Sequence, residues 1–233
     1  MRRLMVFVLV LSLCLVTHAK HKQESKVNYG VKAGFSSTMY DIIRLEVNSA
    51  PISEYSAKSE LSSFFTVFTR FNIKRHYLQT ELSYNISNYS ILFPSHQWDP
   101  SLKKSQQSVI NTQINGLELP IYYGYHILKD GPYGMSFYMG PKAKYVINEH
   151  SRFLFTNFPY SDIEEEILPL NFSLMLGLGV SINRMFFDFS FEYGLHNISQ
   201  GIKSVDSEGT PHTQGIIFDR RKNVLSFSFG LIL

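Results

Sequence analysis

Between Leu168 and Leu195 the chain alternates large apolar with small or polar residues through two runs joined only by Asn183-Arg184. The first run sets Leu170, Phe172, Leu174, Leu176, Leu178, Val180 and Ile182 against Asn171, Ser173, Met175, Gly177, Gly179 and Ser181. The second sets Phe187, Phe189, Phe191, Tyr193 and Leu195 against Asp188, Ser190, Glu192 and Gly194. Alternation with a period of 2 sends successive side chains to opposite faces of a strand. A face that stays bulky and apolar for roughly ten residues, opposite one that is small or charged, suits a strand crossing a bilayer within a barrel, lipid outside and a polar lumen inside.

The N-terminus fits an exported chain. Arg2 and Arg3 precede an apolar run of 13 residues, Leu4 to Val16, and Thr17-His18-Ala19 forms a small-x-small cleavage site before Lys20. Residues 1–19 therefore read as a signal peptide, since the run is shorter than the roughly 20 residues of a spanning helix. Cys14 follows the bulky Leu13, which disfavours lipoprotein processing. Losing Arg2 and Arg3 lowers the net charge from +3 to +1, so no nucleic-acid partner is implied. The single cysteine leaves with the signal, and with it any disulfide or thiol chemistry. The remainder, residues 20–233, reads as one domain whose membrane insertion must use strands.

Eight alternating runs are present: 27–37, 62–72, 77–89, 112–127, 135–147, 168–182, 186–195 and 223–233. Connections after the second, fourth and sixth are short; those after the first, third, fifth and seventh run to 20 residues or more. Tight turns on one side and long loops on the other describe an all-β, eight-stranded antiparallel up-and-down transmembrane barrel with four long extracellular loops. The rival, a soluble barrel with an apolar interior, fails on volume. An eight-stranded lumen only just holds side chains, and the Phe, Tyr and Leu of the apolar face are too bulky for it. The polar face would then line and plug the lumen, bringing in Lys32, Arg70, Glu81, Glu118, Lys142, Lys144, Asp188 and Glu192, four of each sign. Buried charges must pair or cost several kcal/mol, so this set reads as a structural network. Tyr29, Phe71, Tyr125, Tyr133 and Phe187 fall at one end of the strands and Phe35, Tyr84, Tyr145 and Tyr193 at the other, as interface girdles do.

Several stretches resemble the PorT-like family of outer-membrane β-barrels: Leu78 to Tyr84, Leu117 to Ile121, Tyr138 to Pro141, Glu192 to Ile198, and Arg221-Lys222-Asn223 entering the last run. The second run departs, with Ser62-Ser63-Phe64-Phe65 where that family tends to carry a Gly. The resemblance implies an integral outer-membrane barrel with no cofactor and no family-wide catalytic residues. The final alternating run also resembles the C-terminal signal read by the barrel-assembly machinery, with Leu233 where Phe is usual.

Function then falls to the loops. Trp98, Phe153, Phe155, Phe158 and Tyr160 are candidate contact residues, beside the acidic Asp162, Glu164, Glu165 and Glu166 and the basic Arg220-Arg221-Lys222. These runs suit lipopolysaccharide, an unknown protein partner, or each other. The expected role is non-enzymatic: structural, adhesive or accessory. Two alternatives remain, a lipid A hydrolase and an accessory of a protein secretion machine. For the hydrolase, Glu192, His196 and Ser199 lie close in sequence, although Glu192 and His196 share the lumen face while Ser199 falls beyond it. The remaining histidines are scattered, with no pair at metal-ligand spacing. The processed protein is expected to begin at Lys20; the mass of its N-terminal peptide checks this, and a peptide retaining Met1 would contradict it.

Overall fold

A computed structural model describes residues 26–47, 50–97, 101, 103, 106–147, 152–156, 161–197, 199–205, 211–212 and 216–233. Among the described residues the elements are β1 (Val27–Val47), β2 (Ala50–Pro51), β3 (Ser56–Ser59), β4 (Leu61–Ile73), β5 (His76–Pro94), a 3-10 turn (Ser95–Gln97), β6 (Gln107–Asp130), β7 (Tyr133–Val146), β8 (Arg152–Thr156), β9 (Ser161–Ile167), β10 (Leu170–Ile182), β11 (Met185–Gly194), β12 (Ser199–Val205), β13 (Pro211–His212) and β14 (Ile216–Ile232). Eight of them form an antiparallel ring in the order β1, β4, β5, β6, β7, β10, β11, β14. The first and last strands close it, with Lys32 opposite Gly230 and Phe35 opposite Phe227. Three two-residue turns lie at one end, each with a left-handed first residue: Lys74 (φ 57°), Gly131 (φ 57°) and Asn183 (φ 55°). Lys129 Nζ ties two of these turns by donating to the Lys74 carbonyl at 2.9 Å.

The two faces of the ring are chemically opposite. On β10 the residues Leu170, Phe172, Leu174, Leu176, Leu178, Val180 and Ile182 are exposed on the outside, while Ser173 and Met175 are buried. The same division runs around β4, β5, β6, β7, β11 and β14, giving a continuous apolar belt. The 13 residues of β10 exceed the roughly 9–11 that a tilted strand needs to cross a bilayer.

Two features differ from the sequence reading. First, bulky rings do enter the lumen. Phe68, Tyr77, Tyr138 and Phe186 are buried inside, each directly opposite a glycine: Gly30, Gly124, Gly177 and Gly230 respectively. A Cβ added to Gly124 would sit 2.0 Å from the Tyr77 ring, and one on Gly177 would sit 2.2 Å from Tyr138. The small residues of the inner face are seats for the rings, so the volume argument holds for each cross-strand pair rather than for single residues.

Second, much of what reads as long loop is wall. β1 has 21 residues, β5 19, β6 24 and β14 17. β3 carries the line of β4 on along β5, with Ser59 opposite Tyr89. β8 carries that of β7 on along β6, with Arg152 opposite Gln113. β9 and β12 are not hydrogen-bonded into this wall: with β13 they form a separate three-stranded sheet in the order β13, β12, β9. At this level the faces invert. Tyr89, Ile91, Phe93, Ile110 and Ile114 are buried inside, and the outward pairs include Asn88 opposite Gln113 and Ser90 opposite Asn111, with Leu92 opposite Val109 next along the strands. Beyond hydrocarbon the outer medium is water, so apolar side chains gain by turning inward, as in a soluble barrel. The sequence reading treats alternation with lipid-facing bulk as the strand mark, and an inverted pattern escapes it.

The inversion locates the edge of the belt. Leu82 and Asn88 share the outer face of β5, six residues apart. Leu82→Lys is expected to cost about 2–4 kcal/mol of folding free energy in bilayers, while Asn88→Lys stays within about 0.5 kcal/mol, both read from urea titrations in lipid vesicles. Equal costs would place the edge elsewhere.

Candidate functional site

The inner faces of β1, β4, β5, β6, β7, β11 and β14 bring ionisable groups together in two tiers. In the lower tier Lys32 Nζ lies 2.8 Å from Glu81 Oε1 and 3.4 Å from Asp188 Oδ2. Arg70 Nε donates to Gln79 Oε1 at 2.5 Å, and Gln79 Nε2 donates to Glu81 Oε1 at 2.5 Å. The Arg70 guanidinium sits 4.5 Å from the centroid of Tyr77, and the Tyr122 hydroxyl donates to Glu81 Oε2 at 3.1 Å. Tyr77, Tyr122, Tyr138 and Met175 pack into one cluster around these charges.

In the upper tier Lys142 bridges two carboxylates, Glu118 Oε2 at 2.9 Å and Glu192 Oε2. Lys144 donates to Asn85 Oδ1 at 3.0 Å and Ser87 Oγ at 3.3 Å, and stands 3.5 Å from Glu118 Oε1. Above this tier the inward apolar residues of β5 and β6 take over. Two cavities of about 30 Å³ each lie among the lumen side chains. Volumes of that size hold only one or two waters.

All eight charged residues assigned to the lumen from alternation, Lys32, Arg70, Glu81, Glu118, Lys142, Lys144, Asp188 and Glu192, are buried side chains on the inner face. Two further cations join them. Lys222 is 9% exposed and lines both cavities, and Arg220 is fully buried with its guanidinium 4.6 Å from the Tyr89 ring centroid. A last strand begun at Asn223 leaves both in a loop. Carrying its alternation back through Ser228, Ser226 and Val224 would have placed them inside, with Arg221 outside against Tyr193.

The acidic run of β9 faces β12, with Glu164 opposite Lys203, rather than the basic run at 220–222. Of the candidate contact residues, Trp98, Phe158 and Tyr160 lie outside the described residues. Phe153 and Phe155 are on β8, in register with Thr112 and Ile110. The Glu192–His196 pair does not form the start of a triad. His196 Nε2 accepts from the Phe172 N–H at 3.0 Å, so Nδ1 carries the proton and donates to the Asn197 carbonyl at 2.8 Å. Both ring nitrogens are thus engaged by backbone, and Glu192 is held by Lys142.

The comparisons with known proteins bear on this geometry. A family model described as "Outer membrane protein beta-barrel domain" matches residues 19–200. The chain belongs to that family. Among solved structures, this outer-membrane barrel is similar to OprG from Pseudomonas aeruginosa, with a TM-score of 0.52 and 9% identity over 88% of this chain and 95% of that one. Neisserial surface protein A gives a TM-score of 0.39 and 10% identity over 89% and 97% of the two chains. The outer membrane protease OmpT from Escherichia coli gives 0.41 and 8% over 91% and 98%. At 9% identity the likeness to OprG concerns the fold alone. A search of curated proteins finds no significant match.

Because Lys142 neutralises two buried carboxylates, Lys142→Met is expected to cost about 3–5 kcal/mol, seen as earlier loss of the heat-resistant folded band on gels. The charge swap Lys142→Glu with Glu192→Lys should recover part of that loss, and no recovery would mean the pair does not act as a unit.

Proposed function

We propose that this outer-membrane barrel is a non-enzymatic structural, adhesive or accessory protein whose working surface is the rim its walls carry beyond the bilayer. The observation that carries this reading is the filled interior. Among the described residues, paired charges, inward rings and an apolar upper core occupy the lumen, and the two cavities between them are of water size. A solute path through the barrel has no support in that arrangement, and the backbone bonds of His196 argue against a hydrolase site at the top of β11. The rim is built to hold a shape: Gln97 Oε1 accepts from the amides of Ser53 (2.9 Å) and Glu54 (3.2 Å), and Gln97 Nε2 donates to the Glu54 carbonyl at 2.8 Å. This reading includes a cleaved signal at residues 1–19, kinship with the PorT-like barrels, insertion by the barrel-assembly machinery, and lipopolysaccharide as the molecule nearest the rim.

The test is made in intact cells. A photo-crosslinking residue at Tyr55, exposed on the rim, should capture one stoichiometric partner or lipopolysaccharide, while the same residue at the lipid-facing Leu174 should not. Lipid A from cells with and without the protein should carry identical acylation by mass spectrometry. A changed acyl pattern would replace this reading with the hydrolase, and capture of a secretion component would assign the accessory role to that machine.

A further inference from the structure

The two tiers of the lumen differ in charge balance. Lys32 and Arg70 face Glu81 and Asp188 below, two cations against two anions. Above, Lys142, Lys144 and Lys222 face Glu118 and Glu192, three against two. Lys142 takes both carboxylates, and Lys144 reaches Glu118 only at 3.5 Å. Among the described residues Lys222 makes no hydrogen bond or ion pair, although it is 9% exposed. Within this tier, leaving aside Arg220, which packs against the Tyr89 ring, one buried positive charge is therefore in excess of the carboxylates, and an uncompensated buried charge is strongly unfavourable.

A cavity of about 30 Å³ lies at this place, bordered by Lys144, Lys222, Ser87, Ser173 and Glu192. Glu192 is committed to Lys142, and Ser87 Oγ accepts from Lys144. The Lys144 and Lys222 ammonium groups and the Ser173 hydroxyl leave donors for a negative guest. His196, on the same rim, offers none, since its Nδ1 proton is given to the Asn197 carbonyl. The space matches one or two waters, which is too little for a sugar, a nucleotide or a lipid headgroup.

We propose that the upper lumen holds a small inorganic anion, chloride, between Lys144 and Lys222, as a structural counter-ion to the surplus lysine. Such a site is independent of any partner on the rim. It makes barrel stability depend on the identity of the anion in the medium, not merely on ionic strength.

The purified protein, refolded in lipid vesicles, is melted in sodium chloride, sodium gluconate and sodium sulfate at equal ionic strength. Chloride should raise the unfolding temperature over gluconate by at least ~3 °C and saturably, while sulfate, too bulky for the cavity, should behave as gluconate does. Lys222→Met removes the surplus charge, so it should melt above the unaltered protein in gluconate and lose the chloride increment. Equal effects of all three salts, or a Lys222→Met protein that melts lower in gluconate, would overturn the proposal. Should that variant fail to fold, crystals of the unaltered protein soaked in sodium bromide decide the matter. Anomalous density between Lys144 and Lys222 supports the site, and its absence refutes it.

Discussion

The interaction on which the rest of this structure depends is the closed backbone ladder. No N–H or C=O can be left unpaired in hydrocarbon, and the ring meets that condition by pairing β1 with β14 from Gly30–Ile232 up to Val47–Ile216. With eight strands in the closed ring, the lumen is of a width that side chains can fill. Where the ladder is interrupted, the cause is local. The β6–β7 register passes from Pro120–Lys142 to Tyr123–Met139, and the β5–β6 register from Thr80–Ile121 to Ser83–Glu118. Pro120 and Pro141 lack the donors that would fill these gaps. Gly140 lets the strands draw together there, since a Cβ at that position would fall 1.9 Å from the Ile121 carbonyl oxygen.

Given closure, the medium on each side decides which residues can stand on each face. Along the belt the outer neighbours are acyl chains and the inner ones are other side chains, so apolar residues point out. Past Tyr84 and Leu117 the outer neighbour is water, and the same two strands, with no break in pairing, turn Tyr89, Ile91, Ile110 and Ile114 inward. One continuous sheet thus solves two different solvent problems. The walls are adjusted near this boundary: β1 carries a bulge between Ile42 and Arg44, and β7 and β8 belong to separate segments.

This explains what was legible in the sequence and what was not. The eight runs and their order follow from a single rule, bulk facing lipid, which describes the outer face of the belt. It also identifies the inner face, and with it Lys32, Glu81, Glu118 and Glu192. The rule fails in two physical situations. Above the belt its sign reverses on β5 and β6, so their upper parts look like loop; the short strands β3, β8, β9 and β12 fall between the eight runs, and Lys222 and Arg220 look like a basic surface run. Inside the belt, room for a ring is made by the residue opposite it. Tyr77 is accommodated because Gly124 stands on the neighbouring strand, 47 positions along the chain. That pairing is known only once the register is known.

Register is also what the buried charges secure. Side chains alternate with a period of 2, so sliding one strand by a single residue exchanges its faces. For β7 this would carry Lys142 and Lys144 into the acyl chains and bring Tyr145 and Met139 against the lumen. Each lysine in mid-bilayer costs about 2–4 kcal/mol, and the carboxylates of Glu118 and Glu192 would lose their partner at the same time. In a lumen shielded by rings below and an apolar core above, pairing energies are little screened. The ion pairs therefore contribute less as net stability over an apolar filling than as the difference between the native register and its neighbours.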